Sequence, residues 1–251
     1  MNRGPSPRVR LRESAAEVAS AGADAFVSAA IKAIAARGRF AVALSGGHTP
    51  EAMLQLLSHS EYSDSMDWRH THVFWSDERC VGPDDPDSNY GMARRALLDK
   101  GLIPEVNIHR MMGELEPHIG ALDYSMQLRS FFGAPIPTLD LVFLGLGPDG
   151  HTASLFPNTP ALDAVDMPCA ANKVSGNVPS PWRLTLTYPA INSALAVVFL
   201  VEGTPKAPIL KRVLEGPQDP RTLPAQGVTP SRGALTWIVD RPAASLLSTI
   251  P

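Results

Sequence analysis

The sequence predicts an α/β fold with a Rossmann-like, open and mainly parallel sheet that has helices on both faces. Several short runs of β-branched and aromatic residues lack the polar alternation of a half-exposed strand, which indicates strands buried on both faces. These runs alternate with segments of helical spacing, as right-handed βαβ units require. With 251 residues, of which 44% are hydrophobic, the chain can bury a sizeable core. We expect one domain over residues 1–251, with its core at about 11–247.

The first predicted element is an alanine-rich helix over residues 13–37, and Gly38 stands where a C-terminal cap is expected. The apolar residues that recur at helical spacing, and should face the core, are Ala23, Val27, Ile31 and Ile34. Thr49 as N-cap and Pro50 in the first turn predict a second helix, "EAMLQLL". Further helices are expected over 88–99, 118–132 and 205–215.

The predicted strands are the apolar runs "RFAVAL", "THVFW" (71–75), "LDLVFLGLG" (139–147), "RLTLT" (183–187), "LAVVFLV" and "ALTWIV". Stretches rich in proline and glycine predict loops at 133–137, 157–181 and 216–233, the last of them a candidate mobile surface flap. In an open α/β sheet the ligand lies beyond the carboxyl ends of the strands. The polar residues that follow strands are therefore the first candidates for function.

Composition favours a soluble protein with a small-molecule ligand. The net charge is −3 and the densest basic stretch is the short "PRVRLR", so we expect no nucleic-acid partner. The longest purely apolar run, "ALAVVFLV", is far shorter than the ~20 residues of a membrane span, and we expect no secretory signal because residues 1–14 contain no apolar core. Two cysteines suit a reducing compartment. We expect a cytoplasmic protein with no membrane partner, as a monomer or weak homo-oligomer.

The first candidate site is the segment "SGGHT", which consists of Ser45, Gly46, Gly47, His48 and Thr49. Its two glycines let the backbone aim several N–H groups at one point, and the following helix adds its positive dipole end. The segment favours a phosphate site. A plain glycine-rich turn between strand and helix is the alternative.

A second polar cluster, "SDER", follows the run "THVFW". Arg79 can hold a phosphate or a carboxylate through its planar guanidinium, and Asp77 and Glu78 can fix that arginine. The alternative is a salt bridge at a strand end. The segment "DSNY" is typical of a helix N-cap, which gives Asn89 a structural role.

A third cluster contains Gly145, Gly147 and Gly150 in the G-x-G-x-x-G spacing of a dinucleotide-binding loop. That loop requires a long helix after its third glycine, whereas Pro157 and Pro160 limit any helix here to about two turns. The nicotinamide interpretation is therefore disfavoured, and the glycines are better explained as a turn that presents a side chain.

That side chain is His151, which can take a proton from water while Asp149 orients its ring. A structural histidine is the alternative, but the position after a buried strand and beside an acid favours catalysis. Arg183 and Lys206 stand at the start of a strand and of a helix, and either can complete a phosphate pocket or remain a solvated charge. The histidines and cysteines have no metal-binding spacing, so we predict no metal.

In this order, "ALSGGHTPE", "SDERCVGPDDPDSNYGMAR", "LGLGPDGHTASLFP", "RLTLT" and "FLVEGTPK" resemble the 6-phosphogluconolactonase family, over roughly residues 15–245. The segment "GPDGHTASLFP" is highly specific. The resemblance implies a fold shared with glucosamine-6-phosphate deaminases and more loosely with ribose-5-phosphate isomerases. It implies hydrolysis of 6-phospho-D-glucono-1,5-lactone, a phosphorylated sugar lactone, in the oxidative pentose phosphate pathway, with no metal or organic cofactor.

The resemblance also implies roles for the residues already singled out. His151 matches the general base, and Asp149 matches the acid beside it. The positions that match phosphate or substrate ligands are Gly46, Gly47, Thr49, Arg79, Lys206 and Arg183. Asp77 stands where the related deaminases keep their base, which leaves its role open. His48 stands where many relatives carry a smaller residue.

Two other functions are weighed against this one. A glucosamine-6-phosphate deaminase would share the fold and the phosphate site, but such proteins carry "GHIAFNEPG" where this chain has "GHTASLFPN". A non-catalytic sugar-phosphate regulator would usually carry a DNA-binding helix-turn-helix, for which this chain has neither room nor basic surface.

Overall fold

The computed structural model describes residues 7–174 and 180–248. Its strands are β1 (Arg8–Arg12), β2 (Phe40–Leu44), β3 (Thr71–Trp75), β4 (Asp77–Arg79), β5 (Leu141–Leu144), β6 (Cys169–Lys173), β7 (Trp182–Leu186), β8 (Ala196–Val201) and β9 (Ala234–Asp240). Its α-helices are α1 (Ala15–Arg37), α2 (His48–Leu57), α3 (Ser60–Ser63), α4 (Asn89–Ala96), α5 (Pro117–Phe132), α6 (Tyr188–Asn192), α7 (Ala207–Glu215) and α8 (Arg241–Ala244).

Six strands form one all-parallel sheet in the order β1-β9-β8-β5-β2-β3. Every residue of β2 and β5 is buried, so both faces of the sheet are covered and the predicted α/β class is confirmed. In the register of the central strands, Val42 lies between Val73 and Leu141. The strand order reverses between β2 and β5, and in folds of this class ligands bind in the crevice outside such a point.

A second sheet contains three antiparallel strands in the order β4-β7-β6. The run "RLTLT" lies in β7 of this small sheet and not in the main sheet. The predicted loop over 157–181 is wrong in part, because β6 lies within it, and residues 175–179 of that loop fall outside the described residues. The sequence of β6, "CAANK", has few β-formers, and its strand conformation comes from pairing with β7.

Helix α1 has nearly the predicted ends, and of the four residues predicted to face the core, Ala23 is buried and Val27 and Ile34 are partly buried against it. The Ser14 hydroxyl caps its first turn, and Gly38 ends it in the left-handed region with φ of +73°. Ile31, predicted to face the core, is 51% exposed. The buried residues are Val18, Ala19, Ala21, Gly22, Ala23, Phe26, Ala30 and Ala33. Most of the fully buried residues are small, so the larger aliphatic side chains lie at the edge of the packed face and Ile31 lies outside it.

Helix α1 is also, within the described residues, the one helix that is long and apolar enough to cross a membrane, with 23 residues and a best-window mean hydropathy of 1.4. Polar residues interrupt its apolar stretches, so the helix contains no long unbroken apolar run. In this fold Phe26 packs on the sheet, with its ring centroid 5.2 Å from that of Phe40 and 6.4 Å from that of Phe143. Core helices of soluble proteins meet the same test of length and composition.

The region 216–233 is a connection, as predicted, but it does not lie loosely on the surface. Leu223, Ala225 and Val228 are buried, and a short 3-10 helix spans Pro224–Gly227. The segment therefore packs against the body of the protein.

We expect Phe26→Ala to lower the free energy of unfolding by about 3–5 kcal/mol, because it empties a fully buried site between α1 and the sheet. Ile31→Ala, on the exposed side of the same helix, should change it by less than about 0.5 kcal/mol. Urea unfolding measures both variants. Equal losses would contradict the orientation of α1 described above.

Candidate active site

A cleft of about 420 Å³ opens at the carboxyl ends of β2, β5 and β8, a size that suits a small molecule. Its wall consists of residues 45–50, Asp77, Arg79, Asn89, residues 145–148, His151, Ala153, residues 200–202 and Lys206. The fold thus brings together nearly all the residues that the sequence analysis selected. Asp149, Arg183 and Glu78 do not line the wall.

The corner between β2 and α2 forms one end of the cleft. A Cβ at Gly46 would lie 1.8 Å from Asn89 Oδ1, so only glycine fits there. Gly47, with φ of +105°, is the N-cap of α2, and the prediction of Thr49 as N-cap is wrong because Thr49 lies inside the first turn. The first N–H groups of a helix have no intrahelical partner and favour an anion. Exposed His48 lines the cleft beside them.

Arg79 is held at the wall by the start of α4. Its Nη1 donates to the Asp87 carbonyl at 2.6 Å and to Asn89 Oδ1 at 2.8 Å. The Asn89 amide in turn donates to the Asp77 carbonyl at 2.9 Å. Asn89, which the sequence analysis considered structural, therefore stands in the wall between Arg79 and Gly46. The sequence feature that could have indicated this role is the position of Asn89 in the first turn of the helix that follows "SDER".

Glu78, unlike its two neighbours in β4, does not line the cleft. Its carboxylate is 2% exposed and accepts the backbone N–H groups of Asn89 and Tyr90, each at 2.7 Å, and the Ser88 hydroxyl at 3.1 Å. Burial raises the pKa of Glu78, although those backbone donors oppose the rise. A carboxylate at a helix N-terminus also interacts favourably with the helix dipole. Glu78 thus anchors α4 while Asp77 and Arg79 face the cleft.

His151 follows β5 in a turn that two of its glycines make possible. Gly150 has φ of +89°, which favours glycine. A Cβ at Gly147 would lie 2.0 Å from His151 Nδ1, so the imidazole packs directly on bare backbone. At Gly145, by contrast, a Cβ would meet nothing within 4 Å. The second and third glycines of the motif therefore serve the histidine.

Asp149 orients the His151 ring from behind. Its Oδ1 lies 2.5 Å from Nδ1 and also accepts the His151 backbone N–H at 3.1 Å. Since an ionised carboxylate only accepts, Nδ1 donates and the lone pair of the neutral ring lies on Nε2. Burial by itself would raise the pKa of Asp149, but the hydrogen bond and charge of His151 outweigh it and lower that pKa. The pair has the arrangement of a general base and its orienting group.

Of the two further cations, Lys206 reaches the cleft. Its Nζ donates to the Leu146 carbonyl at 2.7 Å, and burial lowers the pKa of its ammonium group while the charge of Asp149 partly offsets the change. Arg183 lies opposite Arg79 in the register of β4 and β7. Its Nη1, however, donates to the carbonyls of Ser180 and Trp182. The structure therefore does not bring Arg183 into the wall.

Two carboxylates complete the wall. Asp77 is 8% exposed, and its Oδ2 accepts the Ser154 hydroxyl at 2.7 Å, which joins β4 to the loop that follows His151. Glu202 lines the cleft directly after β8, and sequence reasoning missed it. Its position after a buried strand is the same signal that selected Asp77.

The sequence and fold of this chain are similar to those of known proteins. The family model for "Glucosamine-6-phosphate isomerases/6-phosphogluconolactonase" matches residues 13–237. A 6-phosphogluconolactonase of Synechocystis sp. is 44% identical over 220 residues, which cover 86% of this chain and 88% of that protein. A 6-phosphogluconolactonase of Homo sapiens is 40% identical over 218 residues, covering 86% and 83%.

Solved structures give the same result. A 6-phosphogluconolactonase from Trypanosoma cruzi has a TM-score of 0.86 at 27% identity, and the match covers 99% of this chain and 100% of that one. A monomeric glucosamine-6-phosphate deaminase has a TM-score of 0.79 at 20% identity, covering 95% and 99%. The second likeness extends to the fold alone.

The glycines of the His151 turn provide a matched pair of substitutions. In Gly147→Ala the new methyl group would occupy the place of the imidazole, so we expect His151 to lose its hydrogen bond to Asp149. Gly145→Ala adds the same methyl group into open space and should leave the pair intact. Crystal structures of both variants measure the Nδ1 to Oδ1 distance. An unchanged distance in Gly147→Ala would contradict the packing described here.

Proposed function

This chain belongs to the glucosamine-6-phosphate isomerase and 6-phosphogluconolactonase family, and we propose that it hydrolyses 6-phospho-D-glucono-1,5-lactone to 6-phosphogluconate. Its curated relatives at 36–44% identity are 6-phosphogluconolactonases, which makes it a carboxylic ester hydrolase of sugar phosphate metabolism. The observation that carries the proposal is the hydrogen-bonded pair of His151 and Asp149, of which His151 lines a cleft that also contains the N-terminus of α2 and the cations Arg79 and Lys206.

In the proposed mechanism, His151 Nε2 takes a proton from a water molecule as the water oxygen attacks the lactone carbonyl. Asp149 stabilises the imidazolium through Nδ1–H. When the tetrahedral intermediate collapses, the bond from the carbonyl carbon to the ring oxygen breaks, and that oxygen receives the proton from Nε2. The ring opens to a carboxylic acid with a free hydroxyl group, and the histidine returns to its neutral form.

The developing oxyanion needs a donor that is not already in use. The Gly147 N–H donates to the His151 carbonyl at 2.8 Å, and the Gly150 N–H donates to the Gly147 carbonyl at 3.1 Å. Because these backbone groups close the turn itself, we propose that a donor outside this turn stabilises the oxyanion.

The phosphate group is proposed to bind at the corner formed by Ser45, Gly46, Gly47, His48 and Thr49, with Arg79 and Lys206 as cationic ligands. Hydrogen bonds to Asp87 and Asn89 hold Arg79 in place before substrate arrives. A phosphate bound there would fix the lactone ring against His151, so that remote binding energy orients the reacting carbonyl.

We further propose that the enzyme is a single domain that acts in the cytoplasm as a monomer or weak homo-oligomer, and uses no metal or organic cofactor. Cys80 and Cys169 are free thiols, which supports a reducing compartment. Two rice relatives carry chloroplastic names, so the compartment varies within the family.

We expect His151→Ala to lower kcat for lactone hydrolysis by about 10²–10⁴-fold, because the general base is lost. Binding of 6-phosphogluconate should persist, since the phosphate corner is unchanged. A coupled assay with freshly generated lactone, corrected for spontaneous opening, measures the rate, and exposed His59→Ala is the control. Full activity of His151→Ala would overturn the assignment. Absence of lactone hydrolysis in the parent protein, with ammonia released from glucosamine 6-phosphate, would favour a deaminase.

Arginine substitutions test the phosphate site. Arg79→Ala should raise KM by about 10-fold or more, because a charge-assisted hydrogen bond contributes about 1.5–3 kcal/mol. Arg183→Ala should change KM by less than about 2-fold, since its guanidinium is bound to backbone carbonyls outside the wall. A larger effect of Arg183→Ala than of Arg79→Ala would contradict this assignment.

A further inference from the structure

We propose that residues 219–227, here called the brace, position His151 from outside the cleft, with Leu223 as the positioning residue. The inference rests on the proposed role of His151 as the base. The residues of the brace do not line the cleft. These residues would therefore affect the reaction by fixing the position of the turn that carries His151.

The brace holds the peptide group between Gly150 and His151. The Ala225 N–H donates to the Gly150 carbonyl at 2.9 Å. The N–H of the same peptide group belongs to His151 and donates to Asp149 Oδ1, the atom that also binds Nδ1. Because a peptide group is planar, fixing its carbonyl also fixes the direction of its N–H. One hydrogen bond from the brace therefore helps to set the carboxylate that orients the imidazole.

Leu223 fills the space beside this peptide group. It is 4% exposed, and a Cβ at Gly150 would lie 2.7 Å from its Cδ2. The Leu223 side chain therefore occupies the space beside Gly150 and leaves the turn little room to shift toward the brace. Asn158 attaches the far end of the His151 loop, since its N–H donates to the Arg221 carbonyl at 2.9 Å. The brace thus contacts the loop both before and after the histidine.

Gln226 ties the brace to α7. Its side chain is 7% exposed, and Nε2 donates to the carbonyls of Val213 at 3.2 Å and Pro217 at 3.1 Å, while Oε1 accepts the Asp219 N–H at 2.7 Å. Val213 lies in the last turn of α7, where carbonyl groups lack intrahelical partners. The Gln226 amide therefore donates to a carbonyl group at the end of α7, and its bond to the Asp219 N–H connects two parts of the brace. A segment anchored in this way is rigid enough to hold a catalytic turn.

The test compares a truncation in the brace with one directly after it. Leu223→Ala removes the packing against Gly150, and we expect kcat to fall about 10-fold through misplacement of His151 while KM changes less than about 2-fold. Leu223→Met keeps the volume and should restore kcat. Val228→Ala is the matched control, because Val228 is similarly buried directly after the brace and its truncation should lower stability while leaving kcat unchanged. If Leu223→Ala does not fold, the smaller truncation Leu223→Val replaces it.

A second measurement does not depend on catalysis. The ring proton signal of His151 in NMR spectra of the free protein should move in Leu223→Ala and stay in place in Val228→Ala. Equal kcat values and equal His151 signals in these two variants would overturn the proposal. If the parent protein shows no lactonase activity, the proposed function fails, and the NMR comparison still decides whether the brace positions the ring.

Discussion

Burial of the parallel sheet on both faces is the constraint from which the site follows. The central strands have no solvent-facing side, so the chain can place charged groups only where these strands end. All six strands run in the same direction, and their carboxyl ends therefore share one edge of the sheet. The reversal of strand order between β2 and β5 separates the connections there and leaves room for a ligand.

Within that crevice, two glycines allow side chains of the site to pack directly against the main chain. At Gly46 and at Gly147 the missing side chain is replaced by a functional group, the Asn89 amide in one case and the His151 imidazole in the other. Each of these two groups therefore packs against main-chain atoms, which have no side-chain rotamers. This packing explains how a half-exposed histidine and an arginine keep fixed positions beside solvent without a deep pocket around them.

The sequence predicted the fold class and most of the wall because both depend on local patterns, namely buried runs and the polar residues that follow them. The sequence did not predict the features that depend on tertiary contacts. The packed face of α1 depends on how closely small residues can approach the sheet, and β6 depends on its partner strand. Arg183 starts a strand as predicted, yet carbonyl groups nearby capture its guanidinium. The partners of Asn89 are likewise visible only in three dimensions.

Strand β4 shows how strongly the site depends on the alternation of side chains along a strand. Successive residues of a strand point to opposite sides, so Asp77 and Arg79 reach the cleft while Glu78 reaches the helix behind it. Inserting or deleting one residue just before this strand would exchange the two sides, turning the helix anchor toward the ligand and both ligand-facing groups toward the interior. In this part of the chain the number of residues is therefore as strict a requirement as their type, and a segment transplanted from a relative would have to preserve length before chemistry.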